Sequence, residues 1–258
     1  MGDVVGEPGR KAVTARLAGL RKEEDLDFIV VNGENAAGGR GITSKIAIVL
    51  LRAGAAVITT GDHVWDQREI MEYFPTEPRL LRPVNYPEGA PGAGSVVLQT
   101  GKGKVGVINA QGRVFMNPPL ESPLALVEEV VEAMHREGVR TILLDFHAEA
   151  TSEKIAMGWR FAGKVSCLFG THTHIPTADE RVLPGGTAYI TDLGMTGPYD
   201  SVIGRKKESV IYKFETTMHA PFDVATGDVR LCGAVVTLDT ETGNATAIER
   251  VMLSSGRG

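Results

Sequence analysis

The residues best able to do chemistry in this chain fall in five short stretches. They are Asp3 in "GDVVG", Glu34 and Asn35 in "VVNGEN", Asp62 and His63 in "ITTGDH", Asp145, His147 and Glu149 in "LLDFHAE", and His172 and His174 in "LFGTHTH". Four of the six histidines lie in these stretches. Imidazoles mixed with carboxylates suit Fe, Mn or Zn, and three or more carboxylates with three histidines are more than one ion needs. The set therefore points to a two-metal site. Taken alone, each element has an ordinary structural use. Asp62 could cap a helix, Glu34 and Asn35 could form a turn, His147 could be a core histidine with its hydrogen bonds met, and Asp3 could be an exposed terminal charge. The recurrence of one local pattern, polar metal-competent residues after an apolar run, favours the functional reading.

Such residues can meet only if the elements that carry them converge. The runs "DFIVVN", "AAVITT", "SVVLQ", "KVGVIN", "TILLDF" and "KVSCLF" have strand length and alternate with segments of helical period. One helical face carries Val13, Leu17 and Leu20. A second carries Ile46, Val49, Leu50 and Ala53, and a third Leu124, Val127, Val131 and Met134. This alternation predicts an α/β fold, in which the carboxyl ends of the strands face the ligand crevice. "GKGK" at 101–104 leaves no room for a crossover helix and predicts an antiparallel hairpin. From about residue 187, "TAYIT", "SVIYKF", "FDVAT", "VRLCGAVVTL" and "TAIERV" read as the strands of a second, mostly antiparallel sheet. No linker or repeat interrupts the chain, so residues 1–258 are expected to form a single domain.

Composition narrows the function classes. The 258 residues are 43% hydrophobic, enough for a large core, and 27 basic against 32 acidic residues leave a net charge of −5 without a basic run. Long nucleic acid and lipid surfaces are thus not expected partners. No apolar stretch approaches the roughly 20 residues needed to span a bilayer. Cys167 and Cys232 are too few for a disulfide framework, and no leader-like segment is seen, so a cytoplasmic location is expected.

The longer stretches "GDVVGEPGR", "NGENAAGG", "TTGDHVWD", "LLRPVNYPEGAPG", "NAQGRVFM", "DFHAEATSEKIAMGW" and "GTHTHIPTADERVLPGGTAYITDLGMTGPYDSVIG" resemble the YmdB-like branch of the calcineurin-type metallophosphoesterases, from residue 2 to about 225. The resemblance implies a four-layer α/β/β/α sandwich of two mixed sheets. It implies a phosphodiesterase with a dinuclear centre of Fe or Mn, with Zn as a further choice, acting on small phosphodiesters such as 2',3'-cyclic nucleotides. Carried over by position, one ion falls to Asp3, Glu34, Asn35 and His174, the other to Glu34, Asp62, His147 and His172. A hydroxide bridging the ions would attack, and His63 would be the general acid. Arg113 in "GRVFM" is a candidate phosphate clamp on its own chemistry, because guanidinium matches a phosphate edge in bidentate fashion, although a surface ion pair would use it equally well. The resemblance leaves room for a homo-oligomer.

Two departures from the family pattern stand out. The chain opens "MGD" where an apolar strand is expected ahead of the first GD, so the first strand is expected to be truncated. Asp62 occupies a position where the family pattern has Asn, which adds a negative charge to the cluster. These departures motivate a second reading, a catalytically weak or silent regulator that keeps the metal pocket for binding. An amidohydrolase-type centre also uses a His-x-His pair, but there the pair comes early, and here it follows the carboxylates.

Overall fold

The structure is a computed structural model, and it describes residues 1–254. The strands are β1 (Asp3–Val4), β2 (Val30–Asn32), β3 (Val57–Thr59), β4 (Ser95–Thr100), β5 (Gly103–Gln111), β6 (Thr141–His147), β7 (Cys167–Thr171), β8 (Arg181–Leu183), β9 (Thr187–Ile190), β10 (Met195–Pro198), β11 (Val229–Leu238) and β12 (Ala245–Ser254). The helices are α1 (Gly6–Glu23), α2 (Ser44–Ala53), α3 (Ile70–Tyr73), α4 (Pro123–Arg136), α5 (Thr151–Phe161) and α6 (Lys207–Thr216). Together they build the expected four-layer α/β/β/α sandwich.

One sheet runs in the order β4-β5-β6-β7-β9-β8, with β5, β6, β7 and β9 parallel. β4 and β5 form the antiparallel hairpin that "GKGK" predicts. Met134, Val127 and Val131 of α4 and Met157 and Phe161 of α5 pack on this sheet. The opposite sheet joins the parallel pair β2-β3 to the ladder β1-β10-β11-β12. The junction is the chain's first residues: the Met1 amine donates to the Val30 carbonyl at 2.9 Å, the Met1 carbonyl accepts from Asn32 N–H at 3.1 Å, and Gly2 N–H donates to Cys232 O at 3.0 Å. Val13 and Leu17 of α1 and Leu50 of α2 cover this sheet's outer face. Between the sheets lie Val57, Val107, Phe169, Ala188 and Ile190. A cavity of about 380 Å³ adjoins Met1 there, lined by apolar side chains that include Leu17, Leu143, Leu193 and Leu231.

The C-terminal third corrects part of the sequence expectation. "SVIYKF" lies within helix α6, not a strand. Its β-branched and aromatic residues suggested a strand, yet Val210 is buried while Ile211, Tyr212 and Phe214 are exposed, so a single helical stripe meets the body. "FDVAT" makes only the isolated bridge Arg205–Val224. "TAYIT" contributes β9, which joins the first sheet parallel to β7 instead of the second sheet. "VRLCGAVVTL" and "TAIERV" do pair as the antiparallel β11-β12.

Candidate metal centre

Strand exits bring the five stretches together. β2 ends at Asn32, just before Glu34 and Asn35; β3 ends at Thr59, just before Asp62 and His63; His147 closes β6; and His172 follows β7. Asp3 enters from β1 of the neighbouring ladder. Gly61 allows the crowding, because a Cβ there would stand 2.1 Å from His147 Cδ2 and 2.4 Å from Glu34 Oε2.

The convergence is tight. His147 Nε2 lies 3.0 Å from Asp62 Oδ1, 3.2 Å from Glu34 Oε1 and 3.1 Å from His172 Nδ1. His172 Nδ1 is 3.2 Å from the same Asp62 oxygen. One donor atom from each of Glu34, Asp62, His147 and His172 falls within 4.8 Å of the other three. Beside this group, Asn35 Oδ1 is 3.1 Å from His174 Nε2, and Asp3 Oδ2 accepts the His172 backbone N–H at 3.2 Å. The other oxygen of Asp3 is buried and has no hydrogen-bond partner. Arg113 stands apart: its side chain is exposed, and its backbone N–H donates to Glu153 at 2.9 Å.

Electrostatics show what the cluster favours. Burial raises the Asp3 carboxyl above its ordinary value, with His174 and His147 opposing. Burial would also raise Glu34 and Asp62, but His147 outweighs it for Glu34, and hydrogen bonds from His147 and His172 outweigh it for Asp62, so both are held low. His147 shifts in the opposite sense: burial lowers it, yet Glu34 and Asp62 together push it well above the usual imidazole range. These opposed shifts show carboxylates and imidazole in close electrostatic contact, a setting that would favour a divalent cation. Carboxylates, imidazoles and the unpartnered Asp3 oxygen form a donor set that fits such a cation.

Residues outside the ligand set that the family resemblance implies orient these rings. Thr171 Oγ1 donates to Asp145 Oδ1 at 2.7 Å and accepts from His147 Nδ1 at 2.9 Å, so His147 turns Nε2 into the cluster. Glu149 Oε2 lies 3.2 Å from His172 Nε2, which leaves Nδ1 facing inward. The Ile203 carbonyl accepts from His174 Nδ1 at 2.9 Å. Each histidine thus has one nitrogen held outside and one presented, an arrangement common behind metal ligands. His63 Nδ1 lies 3.2 Å from Asp66 Oδ2, and Arg40 Nε holds that same oxygen at 2.9 Å. The spacing "DHVWD" was the available signal for Asp66; Glu149 and Asp145 lie two residues from His147 in an already suspect stretch.

The histidine loop itself is held under strain. His172 has φ 99° and His174 φ 66°, both in the left-handed region, where a non-glycine residue costs on the order of 1–3 kcal/mol.

Comparison with known proteins agrees with this geometry. The sequence model of a family described as "YmdB-like protein" matches residues 1–251. A "2',3'-cyclic-nucleotide 2'-phosphodiesterase" of Bacillus subtilis (strain 168) is 46% identical over 255 residues, covering 98% of this chain and 96% of that protein. Among solved structures, a "hypothetical protein" from Thermus thermophilus superposes with a TM-score of 0.91 at 37% identity, covering 98% of this chain and 97% of that one. A "novel phosphatase" from Mycoplasma pneumoniae gives a TM-score of 0.92 at 34% identity, with 98% and 91% covered.

Proposed function

The chain belongs to the YmdB-like protein family, and on that premise we propose that it is a metal-dependent phosphodiesterase of small phosphate esters, with 2',3'-cyclic nucleotides as its substrate class. The observation that carries the reading is the convergence of Glu34, Asp62, His147 and His172. In this proposal two divalent ions bind. Glu34, Asp62, His147 and His172 hold one; Asp3, Glu34, Asn35 and His174 hold the other. Iron or manganese is proposed first and zinc third. When bound, such ions supply Lewis acidity toward the phosphoryl oxygens and a nucleophile at neutral pH.

The protein's own groups supply position and a proton. His63 is the proposed general acid. Asp66 engages its Nδ1, and its Nε2 lies 3.8 Å from Asp62 Oδ2, beside the cluster, where it can pass a proton to the leaving oxygen. Asp145, through Thr171, and Glu149 keep the inward nitrogens of His147 and His172 free of protons when a cation binds. Arg113, exposed two residues beyond β5, whose last residue Gln111 pairs with His147, is the proposed phosphate clamp.

We assign the whole of residues 1–258 to one domain working in the cytoplasm. Both cysteines are free and buried, as suits a reducing compartment, and among the described residues no helix is long and apolar enough to cross a membrane.

Metal quantification on freshly purified protein, followed by assays with bis-p-nitrophenyl phosphate and 2',3'-cAMP, tests the reading. Two ions per chain with turnover are expected. Two ions without turnover of any diester would favour the regulator reading, and a protein that binds no divalent ion would sink both.

A further inference from the structure

Lys154 and Asp192 are fully buried, and neither belongs to the ligand set proposed above. Lys154 Nζ donates to Asp192 Oδ2 at 2.7 Å and to the Thr171 carbonyl at 2.8 Å. The same Asp192 oxygen accepts from Thr173 N–H at 3.1 Å, and its partner oxygen accepts from Gly194 N–H at 2.8 Å. The ammonium thus fastens the residue before His172 directly, and the residue between His172 and His174 through the carboxylate. These are the flanks of the two left-handed histidines. Main-chain bonds from Leu193 N–H to Gly170 O at 2.9 Å and from Met195 N–H to His174 O at 3.0 Å fix the ends of the same loop. The lysine stem reaches this position across Gly170, where a Cβ would stand 1.8 Å from Thr191 O and 3.1 Å from Lys154 Cδ.

As a stabilising device a buried ion pair gains little over a well-packed apolar pair of similar volume. What an apolar pair cannot do is hold a carbonyl and an amide of a strained loop at fixed positions. We propose that Lys154, acting with Asp192, is a positioning residue for the metal centre. The pair holds residues 171–174 in the conformation that aims His172 and His174 at the cations, so its loss weakens cation binding while every ligand remains. The inference rests on the metal-centre reading above.

The test is the double variant Lys154→Met/Asp192→Asn, which removes both charges together and leaves no unpaired buried ion. Melting in EDTA reports the fold, Mn²⁺ titration reports affinity, and the visible spectrum of the Co²⁺-loaded protein reports ligand geometry. The expected result is a melting temperature close to that of the unaltered chain, at least tenfold weaker Mn²⁺ binding, and an altered cobalt spectrum. A folded double variant with unchanged Mn²⁺ affinity and an unchanged cobalt spectrum overturns the proposal. If the double variant does not fold, Asp192→Glu decides, because it keeps the buried charges paired while displacing the carboxylate from the Thr173 and Gly194 amides; the same loss of affinity supports the proposal and unchanged affinity rejects it. An unaltered chain that binds no Mn²⁺ would instead overturn the metal-centre reading itself.

Discussion

His147 and His63 reach the same carboxylate, Asp62, at 3.0 and 3.8 Å, yet their removal should have different consequences. His147 and His172 present inward nitrogens within the cluster, so His147→Ala or His172→Ala should cost an ion and most activity, and metal analysis showing full occupancy in either variant would reject the assignment. His63 stands at the rim with a side chain held by Asp66. His63→Ala should keep its metal and lose roughly 10²- to 10⁴-fold in turnover, the range for a lost general acid. The loss should shrink for a nitrophenyl ester, whose leaving group needs no proton. Equal losses on good and poor leaving groups would remove His63 from that role. Asp62 makes the third case. Asp62→Asn keeps an oxygen in the cluster but withdraws one negative charge from the neighbourhood of the cation, so titration should show weaker Mn²⁺ binding; unchanged affinity would mean that residue 62 does not touch the ion. At this scale the histidines and most of their carboxylates, Asp145 included, were legible because they stand in or just after apolar strand-like runs. The supports Thr171 and Lys154 were not, because a threonine in a strand or a lysine on a helix carries no sign of its partner until the fold brings them together.

Among the elements, parallel strands give the site its place. β2, β3, β6 and β7 release their chains at the same end of their sheets, and the candidate donors stand at or just after the last residue of each strand, so they arrive with little freedom. The β3 exit shows how little slack there is. Gly61→Ala would thrust a methyl group against His147 and Glu34, both in the proposed ligand set. Because the intruding atom meets donor side chains, the damage should appear in cation binding before it appears in folding. We expect near-native circular dichroism with Mn²⁺ affinity reduced at least tenfold, and a variant that binds Mn²⁺ as tightly as the unaltered chain would show that the exit can yield. Elements whose apolar residues repeat, such as α1, α2, α4 and the β4-β5 hairpin, were readable in advance, although Val49 and Leu124, read as part of the α2 and α4 apolar faces, are exposed. Helix α6 was not, since "SVIYKF" buries only Val210 among its large apolar residues, and type composition outweighed a periodicity of one residue.

For the whole molecule, two separately covered sheets meet near the proposed metal centre, to which one brings Asp3, Glu34, Asn35 and Asp62, with His63 at the rim, and the other His147, His172 and His174. A cation held there would tie the two halves together as well as serve chemistry. Without it, the buried Glu34 and the largely buried Asp62, with donor atoms within 4.8 Å of each other, and the buried Asp3 nearby would have imidazoles as their main offsetting neighbours. Metal removal should therefore be visible as a loss of global stability. An ion present at a hundred times its dissociation constant stabilises the native state by about 2.7 kcal/mol. In a chain of this size that corresponds to roughly 5–10 °C in melting temperature. We expect a fall of that order when EDTA is added, reversed by excess Mn²⁺ and growing with Mn²⁺ concentration. The control is His172→Ala, which removes a donor without touching the core: in EDTA it should melt close to the unaltered chain, and Mn²⁺ should raise its melting temperature far less. If Mn²⁺ stabilises His172→Ala as strongly as the unaltered chain, the ion that joins the halves is not the one this cluster holds.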